Sequence, residues 1–234
     1  PYRILYEETN SMDKDRLLGT VGLNIDIWKE KITLDVKTGV DMNNEFRIQK
    51  KPFYTSAYNR GFYREQSNLV MDFNTEFMLK YQDSYFQDRL TLTAGFGGNN
   101  RTYNRRSSKY TLSQLDIEGI YNYSNYPAEV LPDYDLYRSN KVVNSLYGLI
   151  SLGWNDMVYL DVTARNDWSS TLSRGNWSFF YPSVSASVML DRILNLQEKA
   201  PWFTFFKLRG SWANVGKDTN PYSLDQYYTA TEYP

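Results

Sequence analysis

Residues 21–42 read VGLNIDIWKEKITLDVKTGVDM. Val21, Leu23, Ile25 and Ile27 alternate with Gly22, Asn24 and Asp26. After Lys29-Glu30-Lys31 the period returns: Ile32, Leu34, Val36, Thr38, Val40 and Met42 share one face, and Thr33, Asp35, Lys37, Gly39 and Asp41 share the other. Alternation of this kind belongs to a β-strand, because successive Cβ atoms point to opposite sides of the pleat. The stretch predicts a hairpin of two long strands, each with one apolar and one polar face.

The pattern recurs on both sides of a second turn. Leu69, Met71, Phe73, Thr75, Phe77, Leu79 and Tyr81 oppose Asp72, Asn74, Glu76 and Lys80, and Leu90, Leu92, Ala94 and Phe96 oppose Thr91, Thr93 and Gly95. A third hairpin joins Leu146–Trp154 to Val158–Asp167 through Asn155-Asp156, and a fourth joins Phe180–Leu190 to a strand near Phe205–Val215. The sum is about eight strands of roughly ten residues, the length a tilted strand needs to cross a bilayer. Short links at 28–31, 82–88 and 155–156 alternate with long polar ones at 43–67, 100–141 and 168–178. Up-and-down barrels of outer membranes have short turns on one side and long loops on the other. The link at 191–203 is longer than that rule prefers, and Asp191 to Leu196 predicts a short helical turn within it.

The residues assigned to the apolar faces are uncharged, whereas the opposite faces carry Asp26, Asp35, Lys37, Asp41, Asp72, Glu76, Lys80, Asp161, Arg165, Lys207 and Arg209. A Lys or Arg facing lipid at mid-bilayer costs about 2–4 kcal/mol, so a membrane barrel requires this bias. A secreted β-sandwich shows the same alternation with the meaning of its faces reversed. Strand length, the rhythm of the links, and aromatics near strand ends such as Trp28, Tyr81, Trp154, Tyr181 and Trp212 favour the barrel.

Composition narrows the function classes. The 21 Tyr, 12 Phe and 6 Trp of these 234 residues coexist with a mean hydropathy of −0.59, and no apolar run is long enough for a membrane helix. Lys and Arg number 26 against 27 Asp and Glu, so no net field favours nucleic acid as a partner. Without His or Cys the chain lacks the commonest metal ligands and the usual general base and thiol nucleophile. No enzyme activity, cofactor or metal is expected. The opening, Tyr2 to Arg16, is polar and shows no basic-then-apolar leader, so the natural start is expected to lie outside these residues.

Three ordered segments carry a family resemblance. Arg165-Asn166-Asp167-Trp168-Ser169-Ser170 resembles the Arg-x-Asp-Gly-Ser-Ser strand end of SusC/RagA-type transporters, with Trp168 where that pattern usually has Gly. Phe180-Tyr181-Pro182-Ser183-Val184-Ser185-Ala186 resembles their Phe-Pro-Ser-Val-Ser-Ala strand start, and Leu208-Arg209-Gly210-Ser211 through Gly216-Lys217-Asp218 resembles a later strand and turn. The resemblance implies that residues 1–234 are an incomplete portion of a TonB-dependent outer-membrane barrel of about 22 strands. It further implies a plug domain, coupling to the TonB system through segments absent from this sequence, a SusD-like surface lipoprotein as lid, and oligosaccharide or peptide substrates. A scaffold that keeps such a barrel without import is the alternative within the same architecture.

The candidate substrate-binding residues follow from position. Arg165 and Asp167 sit on a polar face near a strand end, where they either touch substrate or pair with each other. Trp168 and Trp177 flank a link, as platforms for sugar rings or as interfacial anchors. Tyr123 and Tyr126 belong to a Tyr- and Asn-rich link whose chemistry suits an adaptable recognition surface or its own packing. The glycines of Gly95-Phe96-Gly97-Gly98 are expected where another backbone, such as a plug, comes close. Gly210 to Asp218 lacks the spacing and the Ser or Thr of a phosphate loop and reads as a turn.

Overall fold

The computed structural model describes residues 8–173, 175–196, 202, 205–216 and 218–224. Eight strands form one antiparallel up-and-down sheet in chain order: β1 (Thr9–Trp28), β2 (Ile32–Lys51), β3 (Phe62–Tyr85), β4 (Leu90–Leu112), β5 (Asp133–Trp154), β6 (Val158–Ser169), β7 (Ser178–Met189) and β8 (Lys207–Ala213). The sheet is not closed, and β1 and β8 are its edges. No second sheet faces it among the described residues, which sets the β-sandwich aside.

Five strands are 20–24 residues long, against the roughly ten expected. The predicted links at 43–67 and 100–141 are largely strand, because β2 continues to Lys51, β3 begins at Phe62, β4 continues to Leu112 and β5 begins at Asp133. The connections shrink to 52–61 and 113–132. Alternation fails as a signal there because both faces turn polar, as in Asn43-Asn44-Glu45. The backbone ladder continues through these segments, and side-chain pairs cross it: Arg64 donates to Thr111 Oγ1 at 3.1 Å and Lys109 to Asp135 at 3.0 Å.

The short turns match expectation. Lys31 N–H bonds the Trp28 carbonyl at 2.7 Å across Lys29 (φ 43°) and Glu30 (φ 62°). Neither residue favours that left-handed backbone, but the Asp26 carboxylate accepts the Glu30 N–H at 2.9 and 3.0 Å and fastens the turn. Asn155 (φ 51°) and Asp156 (φ 53°) form the equivalent turn with residue types that tolerate it. The predicted helical turn after β7 is α1 (Leu190–Ile193).

The chain forms two compact units. The described parts of residues 1–19, 40–73 and 102–140 make the first. Its core is Phe53, Tyr63, Leu112 and Leu115, with Ile48, Tyr110 and Tyr121 packed against it. Leu115 is fully buried, and its N–H bonds the Arg60 carbonyl at 2.7 Å. Gly61 (φ 72°) is required beside it, since a Cβ there would lie 3.0 Å from Leu115 Cδ1. Asn125, also buried, pins the 113–132 connection through Ile117 N–H and the Ile117 and Ile120 carbonyls.

The second unit comprises the described parts of residues 20–39, 74–101 and 141–234. Its register fixes the faces. Ile150 pairs with Val162 and Val162 with Val184, while Leu152 pairs with Leu160, Leu160 with Ala186 and Ala186 with Gly210. On the other face Ser151 pairs with Asp161, Asp161 with Ser185 and Ser185 with Ser211. The apolar side is uncovered: Val21, Leu23, Ile27, Ile150, Val184 and Leu208 are all exposed. The polar side is cross-linked by Asn24–Asp35, Asn74–Asn99, Ser151–Asp161 and Thr163–Ser183 hydrogen bonds.

Candidate functional site

Two groups of side chains carry chemistry, one in each unit. In the second, the β5–β6 register sets Ser145 opposite Asp167 and Tyr147 opposite Arg165 on the polar face. Arg165 Nε donates to Asp167 Oδ1 at 2.7 Å and Nη2 to the buried Ser145 Oγ at 3.0 Å, while its guanidinium lies 5.7 Å from the Tyr147 ring centre. The guanidinium is thus held by a carboxylate, a hydroxyl and a ring, and its planar fork is oriented before any ligand arrives. Phe179 and Tyr181 stack beside it at 6.2 Å and 15°.

Asp218 returns from beyond β8 to this region. It accepts hydrogen bonds from Lys141 Nζ at 2.6 Å and from the buried Ser169 Oγ at 2.9 Å. Burial pushes the Asp218 carboxyl up, but those hydrogen bonds and the Lys141 charge outweigh it and hold the group below the usual carboxylate range. Gly216 packs close to the Tyr181 ring, where a Cβ would lie 3.0 Å from Cε1.

The expected site residues separate. Arg165 and Asp167 are brought together, bonded to each other. Trp168 pairs with Asn144 and Ser178 in the alternate set of residues that contains Val162 and Leu160, so it stands on the opposite face from Arg165 and Asp167. Trp177 is exposed in the 170–177 connection, its carbonyl accepting the Ser169 N–H at 3.0 Å. At Gly97 the close backbone is the chain's own: a Cβ there would meet the Phe77 carbonyl oxygen at 2.6 Å and the Tyr147 ring at 2.7 Å.

In the first unit a cleft of about 330 Å³ is lined by Phe46, Glu65, Ser67, Ser108, Tyr110, Tyr123 and Tyr134. The Glu65 carboxylate accepts hydrogen bonds from Tyr63 and Tyr123, one on each oxygen. Tyr110 meets the Tyr123 ring edge to face at 4.6 Å and donates its hydroxyl to the Tyr123 carbonyl at 2.7 Å. Burial raises the Tyr63 phenol, with Glu65 adding to it, and burial raises Tyr110, with Tyr126 adding to it. These phenols stay protonated donors across the physiological range. Tyr123 and Tyr126 therefore gather around Tyr110, whereas Phe46, Glu65, Ser67 and Ser108 carry no motif in the sequence. Glu65 and Ser67 fall within the polar stretch 43–67, and only the alternation of Tyr63, Glu65 and Ser67 along β3 signals a shared face.

No protein-family model matches the chain, and no curated protein matches it. Solved structures do. A structure of the RagAB peptide transporter matches with a TM-score of 0.82 and 18% identity, covering 97% of this chain and 25% of that one. Structures of the RagAB peptide importer in its "closed-closed" and "open-open" states match at 0.78 and 0.75, with the same identity and coverage. The likeness is one of fold, and the chain spans a quarter of the length of the solved chains it matches.

Proposed function

We propose that this chain is a section of the barrel wall of an outer-membrane importer of large nutrients, peptides or oligosaccharides. The observation that carries the reading is the uncovered apolar face of the second unit, uncharged along β5–β8 and backed by a hydrogen-bonded polar face. Such a face is stable against hydrocarbon and costly against water. The antiparallel order and the fold likeness to a peptide transporter support the same reading. The polar face of the second unit then lines a lumen in which Arg165 and Asp167 contact substrate, with Trp177 as a ring platform and Trp168 as an interfacial anchor, while Tyr123 and Tyr126 offer a recognition surface in the first unit. A SusD-like surface lipoprotein would cap the mouth, and the TonB system would supply energy through a plug. No covalent step is assigned to the chain.

The test is growth of cells lacking the parent gene on peptides, on oligosaccharides, or on their monomers as sole nutrient. Loss of growth on one polymer class, with growth on its monomers retained, is expected, and peptides are the first class to try. Unimpaired growth on every polymer together with a leaky envelope would overturn import in favour of a scaffold.

A further inference from the structure

The first unit's cleft holds a carboxylate whose charge nothing else on its walls balances. We propose that it binds a primary ammonium group carried on an aliphatic stem. Glu65 forms no ion pair among the described residues, and none of the residues lining the cleft is cationic. Both carboxylate oxygens already accept a phenol hydrogen bond, from Tyr63 and Tyr123, which aims the group and leaves further lone pairs for a donor. Around it stand aromatic walls from Tyr110, Tyr123, Tyr134 and Phe46, with the Tyr110 and Tyr123 rings at 89° to each other. Ring faces attract a cation through their quadrupole, and a carboxylate behind them gives it a charged hydrogen bond. A neutral sugar would gain stacking from the same walls and leave the charge of Glu65 unanswered. Tyr134 is 62% exposed, so the cleft is open to solvent, while Glu65 is half-buried. This inference does not depend on import, because binding to the cleft is an equilibrium property.

The full-length protein in detergent micelles is titrated with N-acetyl-lysine methylamide and, as its uncharged isostere, N-acetyl-norleucine methylamide. A second pair, glucosamine and glucose, distinguishes an amino-sugar source of the ammonium from a peptide one. The charged member of at least one pair is expected to bind roughly fivefold more tightly than its neutral counterpart, and Glu65→Gln should remove that preference. Heat-modifiable gel mobility reports whether the variant is folded. If Glu65→Gln fails to fold, Tyr134→Leu leaves the carboxylate in place and should weaken the charged ligand roughly threefold. Equal affinity within both pairs, a preference that survives Glu65→Gln, or unchanged binding to a folded Tyr134→Leu each overturns the proposal.

Discussion

Charge placed on the two sides of β2 tests the face assignment one residue at a time. Val36 belongs to the apolar set, and Val36→Arg would set a guanidinium against hydrocarbon at a cost of about 2–4 kcal/mol. Thr33→Arg, on the side of Asp35, meets carboxylates and water. The first should block assembly of the parent barrel and the second leave it folded, as heat-modifiable mobility would register; equal tolerance at the two positions sinks the membrane reading. Gly97 makes a packing prediction. Its Cβ space is taken by the Phe77 carbonyl and the Tyr147 ring, so Gly97→Val should cost about 1–3 kcal/mol, read as a lowered denaturant midpoint. At this scale the sequence showed part of the chemistry. Arg165 and Asp167 could be paired by eye because residues two apart share a strand face. The same rule pairs Glu65 with Tyr63, but its second partner, Tyr123, is 58 residues away and no local pattern records that meeting.

Among the elements, the hairpins β5–β6 and β7–β8 were legible because each strand has one face that must be apolar and one that must be polar. The distal halves of β2 to β5 were not, since polar residue types there fall on both faces, as in Asn43-Asn44-Glu45, and leave no periodic trace. That correction changes which loop can be cut. Removing 104–138 would destroy strand, whereas removing 116–131 spares Leu112 and Leu115 and deletes Tyr121, Tyr123 and Tyr126. Because closing a shorter connection changes the entropy only slightly, the sheet should survive while ligand or lid affinity on the purified complex falls; undiminished affinity would assign the connection to packing alone. The segment around Asp218 adds a pH prediction. Its folded carboxyl lies below the ordinary value, so the stability it lends is present above the unfolded value, about 4, and is lost as pH falls through the folded one. Amide protection at 214–216 and 218–219, taken as the intrinsic exchange rate at each pH divided by the observed rate, should therefore fall at acid pH, and Asp218→Asn should make it low and independent of pH in that window. A pH response that survives Asp218→Asn would place the switch elsewhere.

For the whole molecule, what matters is what the sheet leaves unsatisfied. β1 is exposed along almost its entire length and β8 along most of its own, and each presents one row of N–H and C=O groups that no strand among the described residues pairs. In water such an edge recruits other strands, and in lipid each unpaired group costs several kcal/mol. The uncovered apolar face adds a second liability, because dissolving it in water exposes Val21, Leu23, Ile27, Ile150, Val184 and Leu208 together. Detergent can cover the face. It cannot pair the edges, which need either further strands or closure of β1 onto β8. Residues 1–234 refolded alone into micelles should therefore associate, and whatever monomer persists should exchange its β1 and β8 amides quickly while β5 to β7, paired on both sides, stay protected. Joining the segment to the strands of its parent should slow exchange at both edges together. A monodisperse monomer with all eight strands protected would mean that the sheet closes on itself as a small independent barrel, and the larger-barrel reading would fall with that result.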